Sequence, residues 1–115
     1  GSGKVGMVCE LGRDIELHDV RLDVEEGPAF RFSNSELIRL DNIASHASLR
    51  EPVVALHNTR SVWLQNSRAY PGNRTFVQLQ GGASRDIHIS ENELSASSTP
   101  VMIGPDVPAG ACLQD

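Results

Sequence analysis

Much is scarce in this 115-residue chain. It has no apolar run near the ~20 residues that a membrane span requires, and no N-terminal stretch of signal-peptide type. Basic charge is short as well: ten Lys and Arg stand against fifteen Asp and Glu, for a net charge of −5. The arginines (Arg13, Arg21, Arg31, Arg39, Arg50, Arg60, Arg68, Arg74, Arg85) are scattered and form no stripe. Phosphate backbones are bound by basic stripes, so neither nucleic acid nor membrane is expected as a partner. Only two cysteines are present, Cys9 and Cys112. A 3.6-residue apolar period, the mark of a helix, fits none of the apolar segments.

What the chain does have is a loose repeat of about two dozen residues. Val8, Phe32, Leu56, Leu79 and Ile103 follow one another at 24, 24, 23 and 24 residues. A second column runs two residues earlier, Phe30, Val54, Val77 and Val101, with Gly6 in the first copy. Two more columns, Ile15, Ile38, Val62, Ile87 and Leu17, Leu40, Leu64, Ile89, are spaced by 23, 24 and 25. Within each copy the apolar residues fall at i and i+2. That alternation sends them to one face of a strand and the residue between them to the other. Breakers recur at one phase: Glu25-Glu26-Gly27-Pro28, Arg50-Glu51-Pro52, Pro71-Gly72-Asn73 and Ser97-Ser98-Thr99-Pro100. Gly, Pro, Asn and Ser at such points make corners. Gly81-Gly82 reads as a further corner, with no helix after it to form a phosphate site.

Two strands, two corners and a less regular third side make one coil. The fold expected is therefore all-β, a right-handed parallel β-helix (solenoid) of about four to five coils. Equivalent strands would pair in parallel ~4.8 Å apart, with inward side chains in ladders. A β-sandwich with chance spacing is the alternative. Four columns keeping phase over four copies weigh against it. Helical repeats of roughly 33–34 residues are too long. The expected organisation is one domain: 1–3 a cloning scar, 4–104 the coils, and 105–115 a C-terminal tail serving as end cap. The cysteines fall in the first coil and in the tail, on the order of 15–20 Å apart, beyond disulfide reach.

Val62-Trp63-Leu64-Gln65-Asn66 resembles the coil grammar of pectin-lyase-like β-helix proteins. Ser67-Arg68-Ala69-Tyr70-Pro71-Gly72-Asn73-Arg74-Thr75-Phe76-Val77-Gln78-Leu79 resembles a stretch near the C-terminus of polygalacturonase-like, family 28 glycoside hydrolases. Glu91–Ala96 followed by Ile103–Ala111 is similar to the last coil and exit tail of such chains. The resemblance implies the C-terminal coils of a polysaccharide hydrolase, from a secreted or periplasmic parent. It also implies catalysis by clustered aspartates in Asn-Thr-Asp, Asp-Asp, Gly-His-Gly and Arg-Ile-Lys patterns. None is intact in this chain: Asn58-Thr59-Arg60 lacks the carboxylate, and there is no Asp-Asp pair. Glycoside hydrolysis needs two positioned carboxyl groups, so no catalytic residue is assigned and the isolated chain is not expected to be an enzyme.

Trp63 lies between two inward residues and should point outward. Its stacked neighbours would be Arg39 and His88, with Glu16 beyond, a column able to hold an acidic polysaccharide. Packing beneath a loop, or simple laddering on the outer face, is the plainer reading. Asp19, Asn42 and Asn66, with Glu91 or Asn92 in the fourth copy, recur at one corner and read as a polar ladder. One carboxylate per layer is sparse for calcium. His18, His46, His57 and His88 show no zinc spacing, so no metal or other cofactor is expected. Asn73-Arg74-Thr75 fits a glycosylation sequon. The functional expectation is a non-catalytic structural β-helix segment. The alternatives are a carbohydrate-binding surface or a scaffold that self-associates as a homo-oligomer through its N-terminal coil, where nothing amphipathic covers Val8, Ile15 and Leu17.

Overall fold

The structure is a computed structural model describing residues 2–3, 6–24, 28–45 and 51–114. Lys4-Val5, the Glu25-Glu26-Gly27 corner, His46 and Arg50 lie outside the described residues. The strands are β1 (Ser2–Gly3), β2 (Met7–Glu10), β3 (Arg13–Arg21), β4 (Asp23–Val24), β5 (Phe30–Ser33) and β6 (Glu36–Ala44). They continue as β7 (Val54–His57), β8 (Arg60–Gln65), β9 (Val77–Gln80), β10 (Arg85–Ser90), β11 (Val101–Ile103) and β12 (Cys112–Gln114).

Odd and even coil positions separate into two sheets. One runs β2-β5-β7-β9-β11 and the other β3-β6-β8-β10-β12, while β1 and β4 pair on the third side. Every pairing among these strands is parallel. The fold is thus a parallel β-solenoid of about four turns. In the stretch expected to close the C-terminal end, Cys112–Gln114 adds a strand to the second sheet instead of lying across it.

The inward columns form the core. Phe30, Val54 and Val77 stack, as do Phe32, Leu56 and Leu79, and all six are at most 1% exposed. Ile38, Val62 and Ile87 with Leu40 and Leu64 do the same from the second sheet. Each such side chain contributes roughly 1.5–3 kcal/mol by leaving water. The first copy departs from the expected register by one residue. Cys9, not Val8, pairs with Phe32, and Met7, not Gly6, pairs with Phe30. Val8 sits beside Arg31 on the outer face and is 53% exposed. Gly6 is required for a different reason, since a Cβ there would collide with the Ala29 carbonyl. The first coil is therefore one residue tighter than its apolar spacing indicated.

Three backbone positions in every coil take positive φ. They are Leu11, Asn34, Asn58 and Gly81; Asp14, Leu37, Ser61 and Asp86; and Asp19, Asn42, Asn66 and Glu91. The first set turns the chain out of a strand, as do Asn66 and Glu91 of the third, while Asp19 and Asn42 fall within β3 and β6. The second sits within the strands of the second sheet and drops out of their pairing register, as a stacked bulge does. Asn and Asp accept this conformation at little cost, which accounts for most of the members. Gly81 takes φ 98°. The two residues inserted after it are anchored where Ala83 N–H donates to Asn58 Oδ1 at 3.0 Å. Pro71-Gly72-Asn73 is a turn as expected, closed by Tyr70 N–H to Asn73 Oδ1 at 2.8 Å. Asn73 is only 1% exposed, so the sequon is closed to modification in the folded chain.

Two outcomes test this register. Leu56→Ala should lower stability in urea by about 2–5 kcal/mol, while Val8→Thr should change it by no more than about 0.5 kcal/mol. Equal losses would place Val8 in the core. Leu11, at φ 57° and 81% exposed, carries left-handed strain with no compensating burial. Leu11→Asn should therefore raise stability by about 0.5–1 kcal/mol in the same assay.

Candidate functional site

The outer face of the second sheet gathers the residues singled out from the sequence. Parallel register sets Glu16 beside Arg39, Arg39 beside Trp63, Trp63 beside His88 and His88 beside Leu113. At one layer of separation, planar side chains pack face to face. The Trp63 and His88 rings are 5° from parallel with centroids 5.6 Å apart. On the other side the Arg39 guanidinium carbon lies 5.4 Å from the indole centroid. These contacts are worth on the order of 0.5–1.5 kcal/mol each. They also occupy both faces of the indole and leave its edge toward solvent. Glu16 ends the column and lies 4.0 Å from His18.

Shallow hollows flank Trp63. One is lined by His18, Arg39, Leu40, Asp41, Trp63 and Gln65. The other is lined by Asp14, Glu16, Leu37, Arg39 and Trp63. Both are open to solvent, and together they offer carboxylates, a guanidinium and an aromatic edge along one side of the solenoid.

Two carboxyl groups of this face, Asp41 and Asp86, are tied to side chains of a neighbouring coil. Asp86 lies 2.7 Å from His88 Nε2 and accepts from Ser61 Oγ at 3.1 Å. The His88 contact first, and the Ser61 hydroxyl next, hold its carboxyl below the ordinary range. Asp41 accepts from Asn66 Nδ2 at 2.7 Å and lies 3.4 Å from His18 Nδ1. The Asn66 amide leads in lowering it, followed by His18. Glu93 is lowered by the Ser95 hydroxyl and then by the Ser95 N–H. A general acid for glycoside cleavage needs its carboxyl raised toward neutrality, the opposite of all three. Ser61, Asp86 and His88 do not make a nucleophilic triad either. The carboxylate stands between hydroxyl and imidazole, whereas activation needs the imidazole between the other two.

The corner ladder has Glu91, not Asn92, as its fourth left-handed member. Its first rung is Asn42 Nδ2 donating to Asp19 Oδ1 at 2.6 Å. Asn66 donates to Asp41 instead. Asn92 instead reaches back to the preceding coil's backbone, accepting from Ser67 N–H at 2.8 Å and donating to the Leu64 carbonyl at 3.0 Å. Among the described residues no three His, Cys, Asp or Glu side chains converge. Cys9 and Cys112 are free, on opposite end strands of the solenoid, and burial pushes the Cys112 thiol up.

Sequence reasoning found Arg39, Trp63 and His88 together and missed Asp86, Ser61 and Asp41. Asp86 had a readable signal: it stands two residues before His88, on the same side of a strand. Compared with protein-family models, with curated proteins and with solved structures, the chain matches none.

A pH dependence follows from the lowered carboxyls. A carboxyl whose folded value is depressed stabilises fully above its unfolded value, and that contribution is lost as pH falls through the folded one. The urea midpoint should stay level from about pH 7 to 5 and drop below about pH 4. Asp86→Asn should make the drop shallower. An unchanged acid limb in that variant would remove Asp86 as a source.

Proposed function

We propose that this chain is a non-catalytic structural segment of a right-handed β-helix, of the kind that braces a polysaccharide-hydrolase-like protein. One observation carries the reading. Three side chains that could do chemistry on the outer face are engaged from coil to coil: Trp63 between Arg39 and His88, Asp86 with Ser61, and Asp41 between Asn66 and His18. Groups held this way resist rearrangement around a reacting substrate, and they stiffen the stack. The resemblance of residues 62–79 to pectin-lyase-like coils supports placing the segment beside a catalytic groove. It also supports a secreted or periplasmic parent. Solenoid stability is approximately a sum of coil and neighbour terms, so such coils work by rigidifying those next to them.

The hollows beside Trp63 favour a second reading, a surface for acidic polysaccharide. Arg39 would contact uronate groups, and the indole edge would pack against a sugar ring. Carbohydrate stacking ordinarily uses an indole face, and both are occupied in this column, which ranks the reading second.

Incubating the chain with polygalacturonate should release no reducing sugar above a blank. Release abolished by a point substitution in this chain would overturn the structural role. An immobilised acidic-glycan panel should retain the wild-type chain and Trp63→Ala equally. Retention lost in both Trp63→Ala and Arg39→Gln would establish the second reading instead.

A further inference from the structure

The outer face of the first sheet is built differently from that of the second. Parallel register sets Arg31, Ala55 and Gln78 in one outward column, with Ser33, His57 and Gln80 in the column beside it. Ala55 is short and its two neighbours are long. Arg31 and Gln78 stand two layers apart, ~10 Å, with only a methyl group between them. Alanine is not favoured in strands, so sheet formation does not account for its place. The result is a hollow of about 280 Å³ over the middle coils, well inside the stack.

One end of this hollow is stiff. Pro28 and Pro52 occupy the same corner one coil apart, and both line it. Their fixed φ holds that wall in place before any ligand arrives. Glu51 stands at the same end, and His57 and Gln80 line the other.

The polar side chains here are not consumed by the ladder. Among the described residues, neither the Arg31 nor the Glu51 side chain has a hydrogen bond or an ion pair. Both are exposed and line one hollow, yet they do not reach each other. Gln78 donates to the Met102 sulfur at 3.3 Å, a weak acceptor. On the second sheet, by contrast, Trp63, Asp41 and Asp86 all have partners one coil away.

We infer that this hollow binds a small zwitterion of the α-amino-acid class, its carboxylate on Arg31 and its ammonium on Glu51. Opposite charges that share a hollow without meeting are complementary to a ligand that carries both. A guanidinium presents two parallel N–H donors to a carboxylate, and an ionised Glu51 can only accept, as an ammonium requires. The volume of about 280 Å³ falls below the ~300–1,000 Å³ of clefts for drug-sized ligands, which suits a single small molecule. The Gln78 and Gln80 amides both donate and accept. They match a ligand side chain that does the same, as the amide of glutamine does. The site lies on the other sheet from Trp63 and is independent of the structural role proposed above.

An NMR titration of the whole chain with L-glutamine tests this. Saturable shifts are expected at the backbone amides of Ala55 and Gln78, with a Kd of about 1 mM. N-acetylglutamine lacks the ammonium and glutaminamide lacks the carboxylate, and each should bind about tenfold more weakly. Arg31→Gln should also lose about tenfold and should no longer distinguish glutamine from glutaminamide. Glu51→Gln should no longer distinguish glutamine from N-acetylglutamine. Both side chains are exposed, so neither variant should change the circular dichroism spectrum. Ala55→Leu fills the hollow and should abolish the shifts. Arg85→Gln removes a cation from the other sheet and should leave them unchanged. Absence of saturable shifts at concentrations about tenfold above that Kd would overturn the inference, as would equal binding of glutamine and its two blocked forms. Shifts caused by a neutral hexose and not by glutamine, lost in Ala55→Leu, would overturn the zwitterion and give the hollow to sugars. None of these outcomes alters the expectation for polygalacturonate, so the structural role stands or falls separately.

Discussion

In-register parallel pairing at ~4.8 Å per layer is the constraint on which the rest of this molecule depends. Once Phe32, Leu56 and Leu79 are aligned, every other residue of those coils is assigned a neighbour above and below. The inward columns become a dry core by this rule, and the outward ones become ladders. Trp63 stacks on His88 because each occupies the same place in its coil. The left-handed residues recur for the same reason. A corner that turned differently in one coil would break the alignment of the next.

This constraint also determines what the surface can do. A ladder satisfies polar groups cheaply, as Asn42 does on Asp19 and Asn66 on Asp41, but it fixes them. Catalysis by paired carboxyls asks for groups with separated acidities converging on a substrate. Asp41 and Asp86 on the outer face are drawn the same way, downward, by hydroxyl, amide and imidazole partners. A surface of this type is suited to rigidity and to contacts along the stack.

Much of the fold was legible in the residues, because alternation and period are both local signals. Ile15, Ile38, Val62 and Ile87 were assigned one column from spacing, and they pair so. The outward Glu16, Arg39, Trp63 and His88 column followed from the same spacing. The first copy was misread at Gly6 and Val8. An end coil has a neighbour on one side only, so an apolar residue can face outward there without penalty, and apolar identity stops marking the inside. Leu11 and Leu37 take positive φ with no signal in their side chains, since the stack imposes a conformation those residues do not favour.

The sequence by itself determined the period, the strand faces and the corners rich in Asn, Asp, Gly and Pro, since these follow from side-chain solubility and backbone sterics one residue at a time. The tertiary structure alone decided the register of the first coil and the left-handed positions held by leucine. It alone decided the pairing of Asp86 with His88 and Ser61, and the addition of Cys112–Gln114 as another strand. Each of these depends on what lies one layer away. That neighbour is some two dozen residues distant in the chain, and only the closed coil brings it into contact.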